Sequence, residues 1–430
     1  MATASPKGTA VVAVRGNSRT ALTMAASVMD SGQVMRIVCV GDVHDDWTSK
    51  DHVCVKVLAP DVLLFVGDFG NENVPVVEKI LSLPEEIEDA PQVALVFGNH
   101  DAFFTASKYG PMATPSKNRN VGANVEKMIK IADKVNASYA ALEVRDAPIP
   151  LHVVGGRPWS WGGPEWRHQY FFRRYAGVMS LQQSTSRIQK AIDQAGTRGA
   201  VVLLAHAGPT GLGTEPSAMC GRDFGDQTGG DWGDADLRMA IQHARAKDIR
   251  VPLCVFGHMH DRLQSSTARR TMIGAERDIH TIGKDKADLY AESLAVTPSG
   301  QDHLEISEDS GAMTVMLNCA VVPRVQPAPS STNEKLNTIH HFAHVVMVSN
   351  RVGCVHEVWV NSSLGCVETV RLMLANKAVM PMEDVALETA RLKGLSADSL
   401  TALKSSEARS SSTAGFKLPK MISSLKKPKI

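Results

Sequence analysis

From residue 34 onward the chain carries ten short apolar, mostly β-branched runs. They are VMRIVCV (34–40), DVLLFV (61–66), QVALVF (92–97), LHVV (151–154), AVVLLA (200–205), VPLCVF (251–256), AMTVML (312–317), FAHVVMV (342–348), VHEVWV (355–360) and CVETVRL (366–372). Near-continuous apolar runs of this length read as strands covered on both faces. Between several of them the apolar spacing changes to the helical period, in VPVVEKILSL (74–83), VEKMIKIADKV (125–135), SRIQKAIDQA (186–195) and DADLRMAIQHARA (234–246), with a last helix in MEDVALETARLKG (382–394). Strands alternating with amphipathic helices predict an α/β layered domain. The last three runs, joined by polar turns, predict an antiparallel meander on one edge. Residues 265–311 are polar and aperiodic and read as an inserted loop. The pattern predicts one domain over about 34–395, preceded by an extension (1–33) and followed by a Ser- and Lys-rich disordered tail (396–430).

Composition narrows the class. The chain has 430 residues, 43% of them hydrophobic, ample for a large core. Its formal net charge of +1 gives no bias toward nucleic acid or membrane surfaces. No apolar run reaches the roughly 18–20 residues that span a bilayer. Seven cysteines, an odd number without a CxxC pair, read as buried thiols in a reducing compartment. Residues 1–29 hold Lys7, Arg15 and Arg19 but no Asp or Glu. That composition fits an organelle transit peptide, for chloroplast ahead of mitochondrion, with a plain extension of a cytoplasmic protein as the alternative. A protein partner for the tail or the insertion is compatible with this reading.

The candidate chemistry lies where the strands end. VCV runs into Gly41-Asp42-Val43-His44, LLFV into Gly67-Asp68, and ALVF into Gly98-Asn99-His100-Asp101. VLLA runs into His206-Ala207-Gly208, and LCVF into Gly257-His258-Met259-His260. Sites in α/β sheets form at the carboxyl ends of strands, and glycine there permits close backbone approach. A lone Asp at such a place is more simply a helix cap, and a lone His a satisfied core residue. Five coincidences at one structural station outweigh those readings. Asp42, His44, Asp68, Asn99, His206, His258 and His260 form a mixed oxygen and nitrogen donor set without thiolate, suited to Mn, Fe, Zn or Co. Seven donors are too many for one such ion and suit two divalent metal ions.

The ordered blocks Asp-x-His, Gly-Asp, Gly-Asn-His-Asp, His and Gly-His-x-His, over about residues 36–261, resemble the calcineurin-like metallophosphoesterase superfamily. GNHDAFFTASKYGP and AHAGPTGLG are similar to its plant and cyanobacterial branch. The resemblance implies a layered β-sandwich flanked by helices, with the metal site at the strand C-terminal ends. It implies that Asp42, His44 and His260 hold one metal, that Asn99, His206 and His258 hold the other, and that Asp68 bridges. It implies hydrolysis of a phosphate ester by hydroxide, with His100 as general acid toward the leaving oxygen. Many members carry Gly-Asp-x-x-Asp, the second Asp supporting that histidine; here Asn71 stands in its place. Asn71, Arg157 and Arg324 are further candidates for contact with the substrate. GGRPWSWGGPEWRH (155–168) reads either as a substrate lid, with Arg on phosphate and Trp on an organic group, or as a self-packed surface loop. The near-neutral charge without a basic stripe counts against a processive nuclease, and large loops at 103–124, 155–170 and 207–233 predict a partly enclosed site for a small or medium phosphoester. A nuclease-like phosphodiesterase and a metal-binding scaffold with little turnover are the alternatives.

Overall fold

The computed structural model describes residues 34–108, 122–147, 150–225, 228–264, 266–277, 294–298, 300–307, 313–329 and 337–394. The expected transit segment and basic tail lie outside the described residues. Two sheets are present. In the first, β1 (Val34–Val40), β2 (Val62–Phe65) and β3 (Gln92–Leu95) run parallel. In the second, β4 (Ala141–Glu143) lies antiparallel to β5 (Leu151–Gly155), which runs parallel to β6 (Ala200–Leu204) and β7 (Arg250–Phe256). Next in the chain come β8 (Ile273–Arg277), β9 (Leu294–Val296), β10 (Leu304–Ile306), β11 (Met313–Asn318) and β12 (Val325–Pro327). The 11-residue strands β13 (Thr338–Val348), β14 (Arg351–Asn361) and β15 (Cys366–Asn376) form the meander.

The first sheet has the order β10-β15-β14-β13-β1-β2-β3, with β12 beside β13, and the second β4-β5-β6-β7-β11-β8-β9. The meander joins the parallel strands through the antiparallel pair β1–β13, so it continues the sheet from β1. The segment 265–311 differs from the expected loop. Among its described residues, β8 and β9 extend the second sheet and β10 pairs with β15 of the first. These strands are three to five residues long, too short for the alternation that reveals a strand.

Side-chain direction explains why the runs are apolar throughout. Along β1, Ile37 and Cys39 face a core shared with Val202, Leu204, Leu253 and Val255 of the other sheet. The alternate residues Val38 and Val40 face an outer core. There, helices Ser49–Leu58, Val74–Leu81, Ala123–Ile131 and Gln169–Tyr175 bury residues such as Val55, Ile80, Met128 and Phe171. Helices Leu181–Ala195 and Ala235–Ala246 cover the second sheet in the same way. The result is a helix–sheet–sheet–helix sandwich. Helix Met382–Leu392 packs on the meander through Val385.

Helix Ser49–Leu58 has a polar pattern that hides it from periodicity. Its start is set by a capping box, with Thr48 and Asp51 bonding each other's backbone. The six cysteines from Cys39 to Cys354 are buried free thiols, and Cys366 is exposed. Among the described residues no helix is long and apolar enough to cross a membrane.

Candidate metal centre

The loops that follow β1, β2, β3, β6 and β7 converge at one end of the sandwich. Asp42, His44, Asp68 and Asn99 come from the first sheet, and His206, His258 and His260 from the second. Donor atoms of Asp42, His44 and His260 lie within 4.8 Å of one another, as do those of Asp68, His206 and His258, and those of His44, Asp68 and His100. With Asn99 against His206, all seven expected ligands and His100 are brought together.

Close backbone approach makes this possible. A Cβ on Gly98 would overlap Asp68 Oδ1, and one on Gly257 would overlap Asp42 Oδ1. His44, Asp68 and His258 adopt left-handed backbones, with φ of 43°, 52° and 68°. Left-handed backbone in non-glycine residues is costly, and strain of this kind gathers at functional sites.

The contacts are those of a cation site. His206 Nδ1 donates to the Val66 carbonyl at 2.8 Å, which leaves its Nε2 as a lone pair. That lone pair faces Asn99 Oδ1 at 2.9 Å and Asp68 Oδ1 at 3.4 Å. Three acceptors directed at one another repel unless a cation lies among them. His44 Nε2 and His260 Nε2 face each other at 3.2 Å, and His260 Nε2 lies 3.1 Å from Asp42 Oδ2. The buried Nε2 of His258 has no hydrogen-bond partner. Burial, helped by His206, pushes the His258 pKa down to about 3, so its imidazole is neutral and able to ligate. Burial and Asp42 push Asp68 up to about 6. For Asp42 itself, burial acts upward, but the His260 hydrogen bond and surrounding imidazoles outweigh it and hold the carboxyl well below its usual range. Two buried carboxylates facing four imidazole nitrogens fit divalent cations.

His100 lies edge-on to His44, with ring centroids 5.0 Å apart. Its Nδ1 is 2.7 Å from Asn71 Oδ1, and its backbone N–H donates to Asp68 Oδ1 at 2.8 Å. Burial is the main influence lowering its pKa. Asn71 therefore orients the imidazole as Asp would, through a neutral amide oxygen, and its carbonyl is committed to that ring.

Arg157 and Arg324 are placed elsewhere. Arg157 is buried and ion-paired to Asp234, with Ser160 at 3.1 Å and Asp236 at 3.5 Å. Its guanidinium lies over Trp166, 4.9 Å from the ring centroid. Arg324 is buried against Asp51 at 2.8 Å and donates to the Asp46 carbonyl at 2.5 Å. It packs on the rings of Trp47 and Phe342, each 5.3 Å away. Both guanidiniums are consumed by buried carboxylates and aromatic rings, so they brace loops and are not offered to a phosphate. Arg324 fixes the segment Asp46–Asp51 that follows His44.

One contributor had no sequence signal beyond its place in GNHD. Asp101 turns away from His100 and accepts backbone N–H bonds from Asp68 at 3.0 Å, Phe69 at 2.7 Å and Gly98 at 2.7 Å. It ties the loop after β2 to the loop after β3 beneath the ligands.

A family model described as calcineurin-like phosphoesterase matches residues 35–262, more than half of the chain. No curated protein matches the sequence. Among solved structures the chain is similar to a dimetal phosphatase from Danio rerio, at 12% identity and a TM-score of 0.34, over 76% of this chain and 95% of that one. It is also similar to a metallophosphoesterase from Sphaerobacter thermophilus, at 13% identity and a TM-score of 0.30, over 86% and 98%. A third similarity is to a protein from Thermus thermophilus, at 12% identity and a TM-score of 0.32, over 52% and 81%. With the match spanning every strand-end block from Asp42 to His260, the chain belongs to the calcineurin-like phosphoesterase family and is a metal-dependent phosphoesterase.

Proposed function

We propose that the protein hydrolyses small or medium phosphate esters at a two-metal centre, with His100 as the proton donor. The observation that carries this reading is the pair of donor triples, Asp42–His44–His260 and Asp68–His206–His258, side by side with His100 at their edge. Asp42, His44 and His260 would hold one divalent cation. Asn99, His206 and His258 would hold the second, and Asp68 would reach both. Such cations, when bound, supply Lewis-acid charge and acidify water.

The chain's own residues do the rest. The Val66 carbonyl fixes the His206 tautomer, and Asp101 holds the backbone of Asp68 and Gly98. Asn71 accepts from His100 Nδ1 and so turns Nε2 outward; the ring gives a proton to a leaving alkoxide from there only as the doubly protonated imidazolium, which passes its Nε2 proton and keeps the one on Nδ1. Proton delivery by a positioned side chain contributes about 10²–10⁴-fold.

The test is metal content and turnover on one purified sample. With Mn added, p-nitrophenyl phosphate and bis-p-nitrophenyl phosphate are assayed for the wild type and His258→Ala. Two metals per chain, with turnover that drops by at least about 10²-fold in the variant, support the reading. Wild-type turnover in His258→Ala rejects it. The monoester to diester ratio separates a phosphatase from a phosphodiesterase.

A further inference from the structure

A ladder of rings leads outward from His100. The His100 and Phe103 rings stack with centroids 5.3 Å apart and planes 12° from parallel. Phe103 stacks in turn on Trp161, at 6.1 Å and 29°. Phe104 stands edge-on to Phe103 at 5.6 Å and is 51% exposed. Trp161 is packed by His168, with ring centroids 5.2 Å apart. The loop 159–168 meets the short helix that carries Phe103 and Phe104 through the Phe103–Trp161 pair.

Phe104 is exposed while Phe103 and Trp161 are half-buried, so the ladder runs from His100 to one ring open to solvent. With Nδ1 of His100 committed to Asn71, the group leaving toward Nε2 departs alongside these rings. Among the described residues, the arginines of the adjoining loops are engaged elsewhere. Arg157 is buried on Asp234, while Arg167 and Arg222 lie over Trp232, at 5.3 Å and 4.7 Å. On the stacked side of His100 the described neighbours are aromatic carbon. Resting on the phosphoesterase reading above, we infer that Phe103, Phe104 and Trp161 form a shelf selecting phosphoesters whose alcohol carries a flat aromatic ring. Contact between aromatic groups adds specificity beyond area alone, and short alkyl esters lack it.

The test uses non-hydrolysable probes, benzylphosphonate and ethylphosphonate, binding to the Mn-loaded full chain in calorimetry. The benzyl probe binds at least about tenfold more tightly than the ethyl one. That ratio falls toward one in Phe104→Ala and Trp161→Ala, and Trp161→Phe restores much of it. Equal affinity of the wild type for both probes overturns the shelf and leaves the phosphoesterase reading intact, returning the rings to a packing face for another protein. An unchanged ratio in both alanine variants also overturns it. Failure to bind either probe, together with no turnover of p-nitrophenyl esters, defeats the underlying reading and the shelf with it.

Discussion

Asn71 holds His100 through an amide oxygen, so the imidazole is aimed without a fixed negative charge behind it. Asn71→Ala frees the ring. Its kcat on an alkyl phosphate is expected to fall about 10- to 100-fold, with KM little changed. The loss on p-nitrophenyl phosphate is smaller, because that leaving group departs without a proton. Equal losses on both esters would remove His100 from proton delivery. The seven candidate donors and His100 were legible as one cluster because their residue types and strand-end positions recur in one order. Arg157 and Arg324 misled because an arginine near a glycine-rich loop gives no sign of whether a buried carboxylate awaits it. Asp234 and Asp51, the residues that claim them, lie 77 and 273 positions away in sequence. Asp101 was hidden for a similar reason, since its partners are backbone N–H groups brought near only by the fold.

Helix Met382–Leu392 is held on the meander by a buried ionic cluster. Glu388 pairs with Arg36 at 3.1 Å and Arg391 at 2.7 Å, with His344 at 3.7 Å. Burial acts against ionised Glu388, but its hydrogen bonds with Arg36 and Arg391 outweigh that and bring its pKa down to about 2. Burial brings His344 down to about 3 and His356 to about 4, so both are neutral in the fold. An unfolded His protonates near 6.5 and an unfolded Glu near 4.3. The unfolded chain therefore binds more protons as pH falls, first through the histidines below about 6.5 and then through Glu388 below about 4.3. The urea midpoint should decline from pH 7 to pH 5, and less steeply in His344→Leu. Parallel slopes would show that His344 does not contribute. At neutral pH, Glu388→Ala strands Arg36 and Arg391 and should cost about 3 kcal/mol or more, read by urea unfolding. The helix and the meander strands were visible as patterns. The cluster was not, because a histidine in a β-branched run looks the same whether it titrates or stays buried.

At the scale of the molecule, the two sheets meet along a shared apolar core and again at the donor residues. Cations bound to the folded chain and not to the unfolded one stabilise it by mass action, by about 2.7 kcal/mol at a hundredfold excess over Kd. Chelation is therefore expected to lower Tm by roughly 5 °C or more, and Asp68→Asn should lose most of that metal-dependent increment. A Tm indifferent to chelator in the wild type would mean that the donors hold no structural cation. The layered architecture could be read from alternating periods, since parallel strands buried on both faces announce themselves. The division into two sheets followed only from the family resemblance, and the strand order not at all, because register and order depend on partners far apart in the chain, such as β1 and β13.

Each donor triple that joins Asp42 to His260, or Asp68 to His258, takes members from both sheets. Neither sheet alone assembles either triple. The hydrolytic centre is thus a keystone, set only once the two halves of the arch have closed. On the function proposed above, a nascent or half-folded chain is expected not to cut phosphoesters, and competence arrives together with the completed fold.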